Sequence, residues 1–202
     1  MPGLCRTTIL RGTTPLLIRY HITDRKLAGG TDALVKAISR NLMDGVDLVQ
    51  IREKDLPVRD LGSLVERVLA LPNPHRSRIL VNSRIDVAIG CGAGGVHLPA
   101  HSFAVNRVRG IAPADFLIGV SCHTEQELRE AEQAGADFAV LSPVFLSPSK
   151  QAPQPPLGLD RLARWIANVR IPVLALGGVS QKSAPLCERA GAAGVAGISM
   201  FQ

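Results

Sequence analysis

The chain has 202 residues, 46% hydrophobic and 20% charged, a balance that suits one substantial core and excludes a disordered or fibrous protein. Its formal net charge of +6 favours anionic ligands, but Lys and Arg are scattered, and aromatic residues at 3% are too few for a base-stacking platform, which argues against nucleic acid. No stretch approaches a membrane span, the N-terminus has no continuous apolar leader core, and Cys5, Cys91, Cys122 and Cys187 show neither metal-ligand nor disulfide-framework spacing, so a cytoplasmic protein with reduced thiols and no membrane partner is expected.

After an N-terminal extension over residues 1–15, the first strand is expected at Leu17 to Ile22 and the first long helix at Asp32 to Met43. The segment D-L-V-Q-I-R-E-K-D follows, then a helix at Val58 to Leu71, a strand at Arg78 to Asn82 and the strand G-V-H-L. Further on come a strand at Phe116 to Ser121, a helix at Glu125 to Ala134, the strand of A-G-A-D-F-A-V-L-S, and a helix at Leu159 to Val169. A strand at Pro172 to Leu176, a helix at Ser183 to Ala190 and the strand of A-G-A-A-G-V-A-G-I-S complete the series. Four of these segments repeat one design, in which a helix ends at Gly45, Gly92, Gly135 or Gly191 and a short apolar strand follows.

Alternation of helices with Val-, Ile- and Leu-rich strands implies a parallel sheet, and eight strands in this length fit a minimal (β/α)8 TIM barrel forming a single domain over 1–202. An open doubly wound sheet is the structural competitor. The sequence reaches Met200-Phe201-Gln202 directly after the eighth strand, so the last outer helix is expected to be missing. The N-terminal segment or a neighbouring subunit would then cover the flank, or the barrel would stay open, and a homodimer is one outcome.

In such a barrel, ligands sit at the C-terminal strand ends. Strand periodicity puts Leu48, Gln50, Arg52 and Lys54 on one face, and cations facing inward at a strand end are costly unless an anion meets them. A phosphorylated ligand follows from that. The other strand ends bring Thr23 and Asp24, Asn82, His97, Ser121 and His123, Ser142, then Gly177-Gly178 and Ile198-Ser199-Met200 to the same rim. The last two groups lie on neighbouring strands, where backbone N–H groups often bind phosphate, though glycines there can equally serve a tight turn. The loop with Ser147, Ser149 and Lys150, followed by Pro153, Pro155 and Pro156, either closes over substrate or is a solvated loop held extended by its prolines. His123 either orders a loop or transfers protons near neutral pH, and its shared parity with Ser121 favours the second role. His97 is expected to pack or hydrogen-bond inside the barrel, and His101 to lie in a loop. Cys122 has the opposite parity, which argues against a Cys–His pair.

The motifs Q-I-R-E-K, V-N-S-R-I-D-V-A, G-V-H-L, G-V-S-C-H-T, A-G-A-D-F-A-V-L-S-P-V-F, I-P-V-L-A-L-G-G-V and G-V-A-G-I-S, in this order from Tyr20 to Met200, resemble the thiamine-phosphate synthase and TenI (thiazole tautomerase) superfamily. The resemblance implies a (β/α)8 barrel working on a thiazole phosphate, with a pyrimidine diphosphate as second substrate in the synthase branch. It also implies that Gln50, Arg52 and Lys54 serve the diphosphate, with Ser147, Ser149 and Lys150 joining them if the chain is a synthase.

The synthase uses Mg²⁺ held by two aspartates, and this chain has Ser83 and Ser102 at those positions. Mg²⁺ normally takes one or two carboxylates, so the departure favours the tautomerase branch, which needs no metal, with His123 as its acid/base. No cofactor is expected on that reading, and Mg²⁺ only if the synthase alternative holds. A third alternative is a barrel that binds thiazole or thiamine phosphate without turnover.

Overall fold

The computed structural model describes residues 17–146 and 155–202. Eight parallel strands run in order around a closed barrel: β1 (Ile18–Ile22), β2 (Leu48–Ile51), β3 (Arg78–Asn82), β4 (Gly95–Leu98), β5 (Leu117–Cys122), β6 (Phe138–Leu141), β7 (Val173–Ala175) and β8 (Gly194–Gly197). Between them lie α1 (Arg25–Ala28), α2 (Thr31–Met43), α3 (Val58–Leu69), α4 (Ile85–Gly90), α5 (Val105–Arg109), α6 (Glu125–Gln133), α7 (Gly158–Ile166) and α8 (Ala184–Arg189). β1 pairs with β8, Tyr20 opposite Ala196, so the sheet closes and both the open-barrel and the doubly wound alternatives fall. After β8 comes a single 3-10 turn, Ser199–Phe201.

Strand parity sorts the interior into two layers. Tyr20, Leu48, Leu80, Leu117, Phe138, Val140, Leu174 and Ala196 fill the inside of the barrel. Val49, Val81, Val96, Ile118, Leu141 and Val195 point the other way, against helix residues such as Leu34, Ile38, Leu64, Leu128 and Leu162. Each buried aliphatic side chain contributes about 1.5–3 kcal/mol. Inside the barrel the aromatic rings need room, and Gly119 provides it. A Cβ there would lie 2.3 Å from the Phe138 ring and 2.8 Å from His97 Nδ1.

The repeat has a physical basis at the N-terminal end of the barrel. All four of its glycines have positive φ, just past the ends of α2, α4, α6 and α8. In two copies an aspartate follows, and each accepts a backbone N–H from the preceding strand: Asp47 from Arg19 and Asp137 from Ile118, both at 2.7 Å. Asp137 also holds Arg109 at 2.6 Å.

The flank beside β8 is covered within the described residues by Phe201, whose ring stacks on His21 with centroids 5.4 Å apart. Asn41 Nδ2 donates to the Phe201 carbonyl at 2.6 Å. The expected long helices stand, with ends trimmed: α3 stops at Leu69 and α7 at Ile166. The short α1 and α5, with 4 and 5 residues, had no periodic signal to be read. Residues 1–15 of the expected extension lie outside the described residues.

Candidate active site

The C-terminal rim gathers most of the residues singled out from sequence, and it holds them by different means. Thr23, directly after β1, is buried, donates to Glu53 Oε1 at 2.6 Å and accepts the Arg52 backbone N–H at 2.9 Å. Glu53 also accepts the Arg25 backbone N–H at 3.1 Å and pairs with the Arg25 guanidinium at 3.3 Å. Glu53 therefore anchors the turn after β2, and Arg52 and Lys54, one position to either side, take the opposite parity. Among the described residues Arg52 has no ion-pair partner and is half-buried; Lys54 is exposed. Neither Thr23 nor Glu53 was read as the clamp. The signal was the alternation R-E-K itself, which sends the carboxylate away from the two cations.

Gln50 departs from expectation. It is only 1% exposed, and its amide Nε2 donates to the Tyr20 hydroxyl at 2.8 Å. Position Gln50 belongs to the floor of the barrel mouth rather than to its open wall, because β2 continues one residue past it and Tyr20 holds its amide inside. Tyr20 was missed as a site-related residue; as the only tyrosine, at an inward position of β1, it could have been found by parity.

His97 lies inside the barrel as expected, with Nδ1 3.2 Å from the Tyr20 hydroxyl and Nε2 2.9 Å from Ser121 Oγ. Burial first, and the nearby Arg52 charge second, push its pKa down to about 3. It is a neutral imidazole at physiological pH. Ser121 is half-buried at the upper end of β5, and the rim residue His123 follows just beyond that strand.

The His123 ring is fixed by Nδ1, which lies 2.8 Å from the Ser142 carbonyl oxygen. A carbonyl can only accept, so Nδ1 carries the proton, and Nε2 of the neutral ring keeps a lone pair. The backbone is fixed too. Glu127 accepts the His123 backbone N–H, and Thr124, capping α6, accepts the Glu127 N–H at 3.2 Å. The other Glu127 oxygen lies 3.0 Å from His101 Nε2 in the loop after β4.

Across the mouth, Gly177 and Gly178 have φ of 92° and 64°. A Cβ at Gly178 would meet the Leu146 carbonyl oxygen at 2.4 Å, so the loop after β6 already takes the space that glycine leaves. The Gly178, Ile198 and Ser199 N–H groups donate to no backbone acceptor among the described residues. Ser147, Ser149 and Lys150 lie outside the described residues.

Asn82, at the end of β3, donates through Nδ2 to Ser83 Oγ at 2.9 Å. Ser83 is exposed with φ of 61°, and His101, next to exposed Ser102, has φ of 55°. The nearest carboxylate in sequence, Asp86, is held by Arg84 at 2.5 Å, and that guanidinium lowers its pKa to about 2. Among the described residues no group of three or more His, Cys, Asp or Glu side chains could hold a metal ion. Two neutral hydroxyls and a carboxylate already paired with arginine do not fit Mg²⁺, which prefers anionic oxygen ligands.

The thiamine monophosphate synthase family model matches residues 19–201. The chain belongs to that family. A relative from Aquifex aeolicus, provisionally named thiamine-phosphate synthase 2, is 42% identical over 182 residues, covering 90% of this chain and 96% of its own. The thiamine-phosphate synthase of a Roseiflexus species is 38% identical over 90% of this chain and 77% of its own. The solved thiamine phosphate pyrophosphorylase of Pyrococcus furiosus superposes with a TM-score of 0.79 at 30% identity, over 92% of this chain and 88% of that one. The chain thus shares the fold of that solved relative. These names match the synthase alternative rather than the tautomerase favoured from the sequence. Among the described residues no helix is long and apolar enough to cross a membrane.

Proposed function

We propose that this protein acts on a phosphorylated thiazole in the formation of thiamine phosphate, at the C-terminal mouth of the barrel. The observation that carries the proposal is membership of the thiamine monophosphate synthase family over residues 19–201. The rim chemistry agrees with it: a half-buried arginine without an ion-pair partner among the described residues, an anchored histidine with a lone pair on Nε2, and backbone N–H groups on neighbouring strands.

The roles follow from those positions. Arg52 and Lys54 meet anionic groups of the substrate, and Gly178, Ile198 and Ser199 receive phosphate through backbone N–H groups, with Gly177 shaping the turn. His123 Nε2 accepts or returns a proton. Asn82 and Ser121 orient the ring between them.

The names of the relatives support the coupling reaction, which joins the thiazole phosphate to a pyrimidine diphosphate with release of pyrophosphate, and we take it first. A metal at a departing pyrophosphate is worth several kcal/mol. With Ser83 and Ser102 in place of carboxylates, that charge must be met by Arg52, Lys54 and Lys150. The second reading, proton transfer on a thiazole carboxylate phosphate to give the aromatic ring, is favoured by those same serines, since it expels no pyrophosphate.

Incubation with the pyrimidine diphosphate and the thiazole carboxylate phosphate tautomer, with and without Mg²⁺, separates them. Thiamine phosphate with pyrophosphate release supports the coupling, aromatised thiazole alone supports the tautomerase, and neither product removes both.

A further inference from the structure

A chain of hydrogen bonds crosses the inside of the barrel from β2 to β5, and its direction is fixed. Gln50 Nε2 has only protons to give, and it gives one to the Tyr20 oxygen at 2.8 Å. Tyr20 has a single hydroxyl proton, and the remaining neighbour of that oxygen is His97 Nδ1 at 3.2 Å. The tyrosine therefore donates and Nδ1 accepts. Since burial keeps His97 neutral, its one proton sits on Nε2, 2.9 Å from Ser121 Oγ. Ser121 accepts that bond, and its own hydroxyl proton is left to be given away.

The surroundings hold these groups in place. Tyr20 is fully buried and His97 is 2% exposed. The Tyr20 ring meets Phe138 edge-on with centroids 5.6 Å apart, and His97 lies 6.0 Å from the same ring. Gly119 leaves the space that His97 and Phe138 occupy, so the imidazole has little freedom to turn. Only Ser121, half-buried at the strand end, meets the mouth.

We propose that Tyr20 and His97 are positioning residues that set the Ser121 hydroxyl as a hydrogen-bond donor into the barrel mouth, so that the ligand must place an acceptor there, a ring nitrogen or a carboxylate oxygen. This deepens the proposed function and rests on it for the identity of the ligand. The direction of the relay does not depend on that identity. A ligand presenting an N–H at this point would face a hydroxyl oxygen already engaged by His97, and it would bind less well.

The first measurement is the tautomer of His97 in the unliganded protein, from long-range ¹H–¹⁵N correlations of a ¹⁵N-histidine sample at neutral pH. An Nε2–H ring is expected; an Nδ1–H ring would reverse the relay and overturn the proposal. The second is a double-mutant cycle on the KM for the phosphorylated thiazole, with substrate affinity read by direct titration if no turnover is found. Ser121→Ala and Tyr20→Phe should each raise KM about 5-fold, the size of one neutral hydrogen bond. Tyr20→Phe should add almost nothing in the Ser121→Ala background, because its effect passes through that hydroxyl. Additive losses would make Tyr20 a packing residue and sink the relay. If the wild-type protein neither binds nor converts the thiazole, the functional proposal fails while the tautomer still decides the direction.

Discussion

The two ends of this barrel handle polar groups in opposite ways. At the N-terminal end, Asp137 is shared by Arg109 and the Ile118 N–H, Asp47 holds the Arg19 N–H, and Arg78 donates to the carbonyls of Gly94 and Asp115. Arg78 Nε and the neighbouring Ser77 Oγ are exceptions, buried without a partner among the described residues. At the C-terminal end, the carboxylate Glu53 is taken up by Thr23 and Arg25, leaving Arg52 with no ion-pair partner among the described residues. Satisfied charge at one end stabilises the fold, whereas cationic and lone-pair capacity kept open at the other needs a ligand to complete it.

Substitutions at the two ends should therefore separate activity from stability. His123→Ala should lower turnover by about 10²–10⁴, the usual contribution of a positioned acid/base, with ligand affinity and denaturant midpoint nearly unchanged. Equal turnover in a steady-state assay would remove His123 from the mechanism. Asp137→Ala should do the reverse. It strands a mostly buried guanidinium and a strand N–H, so a loss of about 3 kcal/mol in urea unfolding is expected, with KM for the thiazole unaffected. A large KM change with little loss of stability would contradict the division between the ends.

Acid sharpens the same contrast through the two buried histidines. Burial, helped by the Arg40 charge, lowers the pKa of His21 from 6.5 to about 4, and His97 is lowered to about 3. The unfolded chain takes up these protons first, so the stability they carry is complete above about pH 6.5. It is lost progressively as pH falls from about 6.5 to 4 for His21 and to 3 for His97, at about 1.4 kcal/mol per pH unit for each residue over its own window. Stability from urea unfolding between about pH 6 and 4.5 should fall with a slope near two protons. His21→Gln should reduce that slope by about one, and an unchanged slope would mean that His21 is not held neutral by the fold.

What could be read from the sequence was what strand parity and repetition encode. Asp47 and Asp137 recur because the same turn recurs, and Leu48, Tyr20 and Phe138 alternate with outward residues, so the barrel follows from local pattern. Parity also brought Arg52, Ser121 and His123 to one rim. It could not say what Gln50 would touch, because its partner Tyr20 is thirty positions away on another strand and the pairing depends on barrel closure. The Glu53 clamp was hidden for the same reason, its partners Thr23 and Arg25 coming from the segment after β1. Sequence left Gly177 and Gly178 between a phosphate contact and a tight turn, and it could not show that the loop after β6 packs directly against both, because that contact comes from another strand end.

The smallest effect concerns the rim position where the family resemblance expects a metal-binding aspartate. Ser83 sits in the left-handed region, with φ of 61°, where a β-carbon is tolerated at some cost and Asn or Asp is accommodated better than Ser. The turn is held by main-chain bonds, Ser83 N–H to the His97 carbonyl at 2.9 Å and Arg84 N–H to the Asn82 carbonyl at 2.7 Å, so the strain is imposed from outside the residue. Ser83→Asn should then raise stability by about 0.5 kcal/mol, against a loss for Ser83→Val, whose branched side chain resists positive φ. If both variants shift the urea midpoint equally, the turn carries no strain. If Asn stabilises as expected, the backbone at this point is shaped for a side chain that this sequence does not have.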